Sequence, residues 1–299
     1  MTDSISIIIP TRNRSSILAK CLAALPDGVL GLTPPEVIVV DDCSTDETRE
    51  VVEGFGHTSG WKVQCLRQER PLGASAARNA ALKIARGETI VLIDDDAIVT
   101  DGWLVKLLGA LSDQTPVVTG PIRLTLEGAI LGRHREEVSS YLSEVLAPPR
   151  GADGGTVPVA CNMAAYRWVF DRAMFDESVK PPTEEDDWFR RAGVMATFVP
   201  EASVWHYKTV EEARLNRMLR LAWFRGSEGG WWVRERLQIP FGRRFSLVGQ
   251  SLNTSARAFG HAALGGCWGG VVVGLGEFSK ALALAGLINR GPRVPGSWR

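Results

Sequence analysis

Two hydrophobic periods alternate along the first 120 residues. Ser4–Ile9 is a short β-branched run, and Ile17, Leu18, Cys21, Leu22 and Leu25 then recur at helical spacing. Glu36–Val40, Lys62–Leu66 and Thr89–Ile93 are three further short, strand-like runs. Helical patterns separate them. Ser44 is followed three residues later by Glu47, a capping box, so a helix is expected to begin there. Ala74–Ala85 is Ala-rich, and Trp103–Leu111 is helical again. Alternation of this kind predicts an α/β fold, Rossmann-like, with a mostly parallel central sheet covered on both faces. Ligands bind such sheets beyond the carboxyl ends of the strands. Here those ends are Pro10-Thr11-Arg12-Asn13, Asp41-Asp42, Arg67-Gln68 and Asp94-Asp95-Asp96.

The second half is less regular. Pro148–Gly155 is a loop signal and Val157–Ala160 reads as a strand. Pro181-Pro182-Thr183 precedes a helix expected over Glu184–Ala192, and Met195–Val199 and Val204-Trp205-His206 return to strand pattern. Beyond about 208 the chain reads as helices joined by Gly-rich breaks. The weakly polar stretch Ala262–Gly276 is too short and too Gly-rich for a membrane span and is expected to be buried or surface-lying. The first residues carry no basic segment of the kind that opens a signal peptide.

Composition narrows the choice of function. The 34 Lys and Arg balance 34 Asp and Glu, so no basic excess exists to hold nucleic acid. The five cysteines are dispersed without a CxxC pair, which speaks against a disulfide framework or a zinc ribbon and favours a reducing, cytoplasmic setting. PTRNR follows the first strand where a dinucleotide fold would carry G-x-G-x-x-G, and neither a P-loop nor a G-x-S-x-G elbow is present.

Several clusters could carry chemistry. Three adjacent aspartates repel one another unless a cation offsets them, and oxygen ligands at a strand end suit Mg²⁺ or Mn²⁺. An acidic surface turn is the other reading of Asp94–Asp96. Asp41-Asp42 offers a carboxylate to a nucleobase N–H, or serves only as a helix entry. Arg12 and Arg78 suit bidentate recognition of a phosphate or base. In Thr183-Glu184-Glu185-Asp186-Asp187 the pair Thr183/Asp186 is a capping pair, yet four acids exceed what a cap needs, so one could serve as general base. His206 could add a nitrogen ligand at the triplet or simply pack beside Trp205. Residues 220–244 interleave Trp and Arg, a pattern that fits sugar stacking, an anionic membrane surface or helix packing.

Taken in order, SIIIPTRNR, EVIVVDDCSTDET, GASAARNAALKIARGETIVLIDDDAIVTDGWL, CNMAAYR, FDE, TEEDDWFRR and PEASVWH resemble glycosyltransferase family 2, inverting enzymes of GT-A fold, over roughly residues 4–210. The resemblance implies a catalytic domain over 1–210, with a nucleotide-binding half (1–120) and an acceptor half (121–210), and a helical extension over 211–299. It implies that Pro10, Thr11, Arg12, Asp42, Arg78, Asp94 and Asp95 line the donor nucleotide, and that Asp96, Asp94 and His206 hold the metal. Alignment on Thr183, Asp187 and Arg191 makes Glu185 the base, where the family usually has Asp; a slip of one residue makes it Asp186. The implied reaction moves a sugar from a nucleoside-diphosphate donor to a hydroxyl of a glycan or lipid-linked acceptor, with Mg²⁺ or Mn²⁺, in polysaccharide biosynthesis. It would run in the cytoplasm, with peripheral contact at the inner face of the membrane through the C-terminal region. A nucleotidyltransferase would want a Gly-rich phosphate loop after the first strand, and a non-catalytic sugar-binding protein would not need the acids to be intact.

Overall fold

A computed structural model describes residues 4–127, 139–149, 155–235, 241–265 and 268–288. Two sheets organise the first part. The larger has seven strands in the order β3-β2-β1-β4-β8-β6-β9: β1 (Ile5–Thr11), β2 (Glu36–Asp41), β3 (Val63–Arg67), β4 (Thr89–Ile93), β6 (Val117–Thr119), β8 (Asn162–Tyr166) and β9 (Ala196–Phe198). β8 runs antiparallel to both neighbours, and the other pairings are parallel. The smaller sheet is β5 (Ala97–Val99), β10 (Val204–Lys208) and β7 (Ile122–Leu126), with β10 in the middle.

The continuous apolar runs are explained by burial on both faces. Alternate residues divide between two cores. Ile7, Ile9, Val37, Val39, Val91 and Ile93 pack with α1 (Ser15–Gly28) and α4 (Trp103–Leu108), while α2 (Thr48–Ser59) closes that side through Val52. Ile8, Ile38, Val40, Ile90 and Leu92 pack with α3 (Ala74–Leu82), α5 (Arg167–Arg172) and α6 (Glu184–Ala192). Trp188 of α6 fills the second core, stacked on Phe170 and Phe175 with centroids at 4.9 and 5.4 Å.

Four expectations change. The capping box at Ser44 does not form: α2 starts at Thr48, because the Ser44 hydroxyl accepts from Asn13 N–H while Asp46 takes the Ser15 and Thr48 amides. Thr183 does not cap α6 with its side chain either; its hydroxyl donates to the Lys180 carbonyl, and Asp186 pairs with Arg190. Val157–Ala160 leads into a strand that begins only at Asn162. The Trp/Arg stretch lies mostly in α7 (Leu215–Glu235) and is spent on packing: Trp232 is buried, Arg225 donates to the Ser143 hydroxyl and Arg234 to the Ala283 carbonyl. Arg236 of that stretch and part of the Pro148–Gly155 loop lie outside the described residues.

After β10 the chain forms α7, α8 (Phe241–Gly265) and α9 (Trp268–Leu284). α9 lies between the other two. Gly226 and Gly230 of α7 let α9 approach closely: a Cβ on Gly226 would stand 2.0 Å from the Gly276 carbonyl. A small apolar cluster of Leu124, Leu142, Met218, Ala222 and Val272 seats this layer on β7. Ala262–Gly276 thus takes in the end of α8 and the first half of α9. Among the described residues no helix is long and apolar enough to cross a membrane.

Asn162 joins the two sheets. Its Nδ2 donates to the Pro121 and Ala202 carbonyls at 3.0 and 2.7 Å, and its Oδ1 accepts from Trp103 Nε1 at 2.8 Å. All of this is buried. Asn162→Leu strands these three groups at about 1–3 kcal/mol each. We expect the urea midpoint to fall by an amount equivalent to at least about 3 kcal/mol; a loss under about 1 kcal/mol contradicts the bridging role.

Candidate active site

β4 delivers Asp94, Asp95 and Asp96 to the carboxyl edge of the sheet, beside the end of β1. The smaller sheet is pinned there as well, since Tyr207 N–H donates to the Asp96 carbonyl at 2.8 Å. The three carboxylates diverge to different partners. Asp94 accepts from Arg78 Nη2 at 3.1 Å. Asp95 accepts from the Thr11 hydroxyl at 2.8 Å and pairs with Arg14 at 3.3 Å, which ties the ends of β1 and β4 together. Asp96 is fully buried among His206 Nε2 at 2.7 Å, Lys208 Nζ at 2.6 Å and Arg14 Nη2 at 2.9 Å.

The triplet therefore corrects one premise of the sequence reading. Its mutual repulsion is offset by the chain's own Arg14, Arg78 and Lys208, so folding these acids together does not require a bound ion. Glu212 joins the same network, 3.2 Å from Arg14 and 3.9 Å from Lys208. Burial pushes the Glu212 carboxyl up, but the Lys208 and Arg14 charges outweigh that and hold it below the usual carboxylate range.

His206 comes from the centre of the smaller sheet and has no exposed surface. Its Nδ1 lies 3.2 Å from the Leu142 carbonyl, an acceptor only, which assigns the proton to Nδ1. Nε2 stands 2.7 Å from Asp96 Oδ1, a contact that needs a proton between the two atoms, and 3.0 Å from the Lys208 ammonium. A cation between a carboxylate and an imidazole is the arrangement a divalent ion adopts, and here Lys208 holds that place. The donor set suits such an ion: carboxylate oxygens of Asp94 and Asp96 and one imidazole nitrogen. Asp94, Cys161 and His206, all buried, each bring a ligand atom within 4.8 Å of the others. A divalent ion at Asp96 would have to displace Lys208 from it.

The remaining candidates line the same edge. Arg78 is almost wholly buried, 3.9 Å from Glu184 and over the Phe175 ring, and its Nε and Nη1 make no hydrogen bond. Arg12 Nε is also buried without a hydrogen-bond partner. Such orphaned donors are costly unless a ligand's acceptor meets them. Pro10 and Thr11 are buried at the end of β1. Asp42, expected to read a base, is buried and accepts from the Leu72 and Gly73 amides at 2.7 and 3.0 Å, holding the entry to α3. Asp41 takes Arg67 at 2.6 Å and the Ser44 amide at 2.7 Å.

α6 opens with Glu184, Glu185, Asp186 and Asp187, all favourably placed at its N-terminus. Asp186 and Asp187 pair with Arg190 and Arg191 one turn on. Glu185 instead points across to the turn before β8, where its Oε1 accepts from Ala160 N–H at 3.4 Å, next to Cys161. Sequence reasoning missed Arg14, Lys208, Glu212 and Cys161. One signal was available: Lys208 lies two positions after His206, hence on the same face of β10.

The fold and its acid-lined carboxyl edge define a GT-A glycosyltransferase architecture. The chain belongs to glycosyl transferase family 2, whose family model matches residues 6–173. It is 33% identical over 109 residues to glycosyltransferase GlyG of Streptococcus pneumoniae, covering 36% of this chain and 35% of that protein. It is 26% identical over 188 residues to WfaP of Escherichia coli, a UDP-Glc:alpha-D-GlcNAc-diphosphoundecaprenol beta-1,3-glucosyltransferase, covering 62% of this chain and 68% of that protein. The similarity spans about a third of GlyG and 16% of the Staphylococcus aureus protein TarS. In fold it resembles the mannosyltransferase PcManGT of Pyrobaculum calidifontis, solved with GDP-Man and Mn²⁺, at a TM-score of 0.64 and 17% identity over 95% of this chain and 86% of that one.

Glu212 stabilises the fold above its unfolded value, near 4.5, and that contribution is lost as pH falls through its lower folded value. Glu212→Gln is therefore expected to lower the denaturation midpoint at neutral pH. The gap to the parent should close as pH falls through the carboxylate range. A gap that stays constant on acidification would show that the ionised carboxylate is not the source.

Proposed function

We propose that this chain is an inverting glycosyltransferase that moves a sugar from a nucleoside-diphosphate donor to a hydroxyl of a glycan or lipid-linked acceptor. The observation that carries the reading is Glu185 held beside Cys161, whose thiol shares a buried group with Asp94 and His206. Residues 1–210 are the catalytic unit, with the donor on 1–120 and the acceptor on 121–210. Pro10, Thr11, Arg12, Asp42, Arg78 and Asp95 form the donor side, and the orphaned donors of Arg12 and Arg78 suit an anionic ligand. Asp96, Asp94 and His206 would hold Mg²⁺ or Mn²⁺, which when bound supplies Lewis-acid charge to the leaving diphosphate. Glu185 takes the proton of the acceptor hydroxyl. The acceptor oxygen bonds to the anomeric carbon as the bond to the diphosphate breaks, and the diphosphate leaves unprotonated. Asp186 is the weaker candidate for base, because Arg190 engages it.

Two relatives support a lipid-linked acceptor: WfaP, and a Campylobacter jejuni protein named as a GalNAc(5)-diNAcBac-PP-undecaprenol beta-1,3-glucosyltransferase, 29% identical over 124 residues. Acting on such an acceptor, the enzyme would work in the cytoplasm against the inner face of a membrane.

Calorimetric titration of UDP, GDP and dTDP, with and without Mn²⁺, tests the donor site. One nucleotide should bind in a metal-dependent way, and Asp96→Asn should abolish this. Glu185→Gln should keep that binding and lower release of nucleoside diphosphate from the matching sugar donor by about 10²-fold or more. Normal turnover in Glu185→Gln would move the role to Asp186. Absence of any nucleotide binding would overturn the catalytic reading.

A further inference from the structure

The turn before β8 carries a thiol that no step of sugar transfer uses. Cys161 forms no disulfide and is buried. Its position is fixed by the sheet. β8 pairs with β4 through Asn162 and Ile93, so Cys161 and Asp94 are the next residues out on the two strands. The backbone beside it is tied twice: Asn162 N–H donates to the Val159 carbonyl at 2.9 Å, and the Thr119 hydroxyl donates to the Asn162 carbonyl at 2.8 Å. His206 arrives from β10, the central strand of the smaller sheet. A carboxylate, a thiol and an imidazole thus converge from three strands, one ligand atom of each within 4.8 Å of the others. Ligands bound to one Zn²⁺ at about 2.0–2.3 Å stand about 3.3–3.6 Å apart, so small side-chain rotations bring these three onto one ion.

We propose that Asp94, Cys161 and His206 hold a thiophilic divalent ion of the Zn²⁺ class, with Cys161 bound as its thiolate. Two properties of the group select that ion. A sulfur ligand favours Zn²⁺ over Mg²⁺ or Mn²⁺, which prefer oxygen. Burial acts in the same direction, since the three residues are 4%, 2% and 0% exposed. Mg²⁺ is octahedral and keeps several waters, whereas Zn²⁺ is satisfied by three protein ligands and one further group. As the ion binds, the Cys161 thiol releases its proton to solvent and its sulfur bonds to the metal.

The imidazole also gains from such an ion. His206 Nε2 stands 2.7 Å from Asp96 and 3.0 Å from the Lys208 ammonium. One nitrogen cannot both donate to the carboxylate and accept from the ammonium. An ion on this imidazole ends that conflict, and Lys208 retains Asp96 as its partner. The inference rests on the proposed function for Asp94 and His206 as metal ligands; what it changes is the ion. It is read without nucleotide, sugar or acceptor, so its failure leaves Mn²⁺-dependent donor binding standing, and the converse holds.

Full-length protein, reduced and stripped of metal, is titrated with Co²⁺ as the coloured substitute for Zn²⁺. One equivalent should raise a sulfur-to-cobalt charge-transfer band in the near ultraviolet. One equivalent of Zn²⁺ should abolish that band, and an excess of Mg²⁺ of about a hundredfold should not. Cys161→Ser should lose the band and hold Zn²⁺ at least about tenfold more weakly. Cys21→Ala should keep it, because the Cys21 thiol is turned to the Asp94 backbone carbonyl at 3.5 Å. Should the serine variant lose its far-UV circular dichroism, Cys161→Ala replaces it; Zn²⁺ should then raise the thermal midpoint of the parent and not that of Cys161→Ala. Four results would overturn the inference: no charge-transfer band in the parent, a band that survives in Cys161→Ser, a band lost in Cys21→Ala, or a midpoint shift that Cys161→Ala shares. The second and the last would show adventitious binding at other thiols or carboxylates.

Discussion

A carboxylate with no exposure, Asp96, sets the terms for the rest of the site. A buried carboxylate is tolerable only when charges and hydrogen bonds surround it. Meeting that demand draws in Arg14 from the β1–α1 turn and His206 and Lys208 from the smaller sheet. The polar centre thus fixes how the two sheets meet. Glu212 extends the network toward α7, so the helical layer follows from it as well.

The same arrangement makes the site's charge balance internal. Each aspartate of the triplet already has a cation: Arg78 for Asp94, Arg14 for Asp95, and Lys208 with Arg14 for Asp96. A donor diphosphate arriving with a divalent ion would meet a network that can exchange an ammonium for a metal without leaving Asp96 unpaired. Arg78 links this to the α6 end of the site, being bonded to Asp94 and 3.9 Å from Glu184. Within this run of four acids, Asp186 and Asp187 pair with Arg190 and Arg191 one turn on, whereas Glu184 lies by Arg78 and Glu185 accepts from the Ala160 amide.

Much of the larger sheet was legible in the sequence because its strands are buried on both faces and carry unbroken apolar runs, so Thr89–Ile93 was bounded correctly. The smaller sheet was legible only at its central strand β10, anticipated by Val204-Trp205-His206. β5 is three residues long, too short to show a period, whereas β7 (Ile122–Leu126) carries a period-two alternation, Ile-Arg-Leu-Thr-Leu, that the sequence reading did not use. The helix start expected at Ser44 failed because its hydroxyl accepts from the distant Asn13 amide; α6 does start at Glu184 as expected, although the Thr183 hydroxyl turns back to the Lys180 carbonyl instead of capping it. The acid triplet and His206 could be read from motifs, but Lys208 could not be tied to Asp96 from 112 positions away. Long-range electrostatic partners leave no local spacing.

The order of the C-terminal helices has a consequence for biosynthesis. α9 is the last described helix made, yet it lies between α7 and α8 and supplies the substantial contacts of α8. Until α9 emerges, α8 lacks its main packing surface, and the row that will face it, with Ser255, Ala258 and Ala262, stays uncovered. Gly226 and Gly230 of α7 then act as a slot that accepts a late insertion, since each is a point where a side chain would block α9, while Gly270 and Gly274 of α9 itself let it close on α8. The two sheets can form during synthesis; the helical layer closes only once α9 has been made.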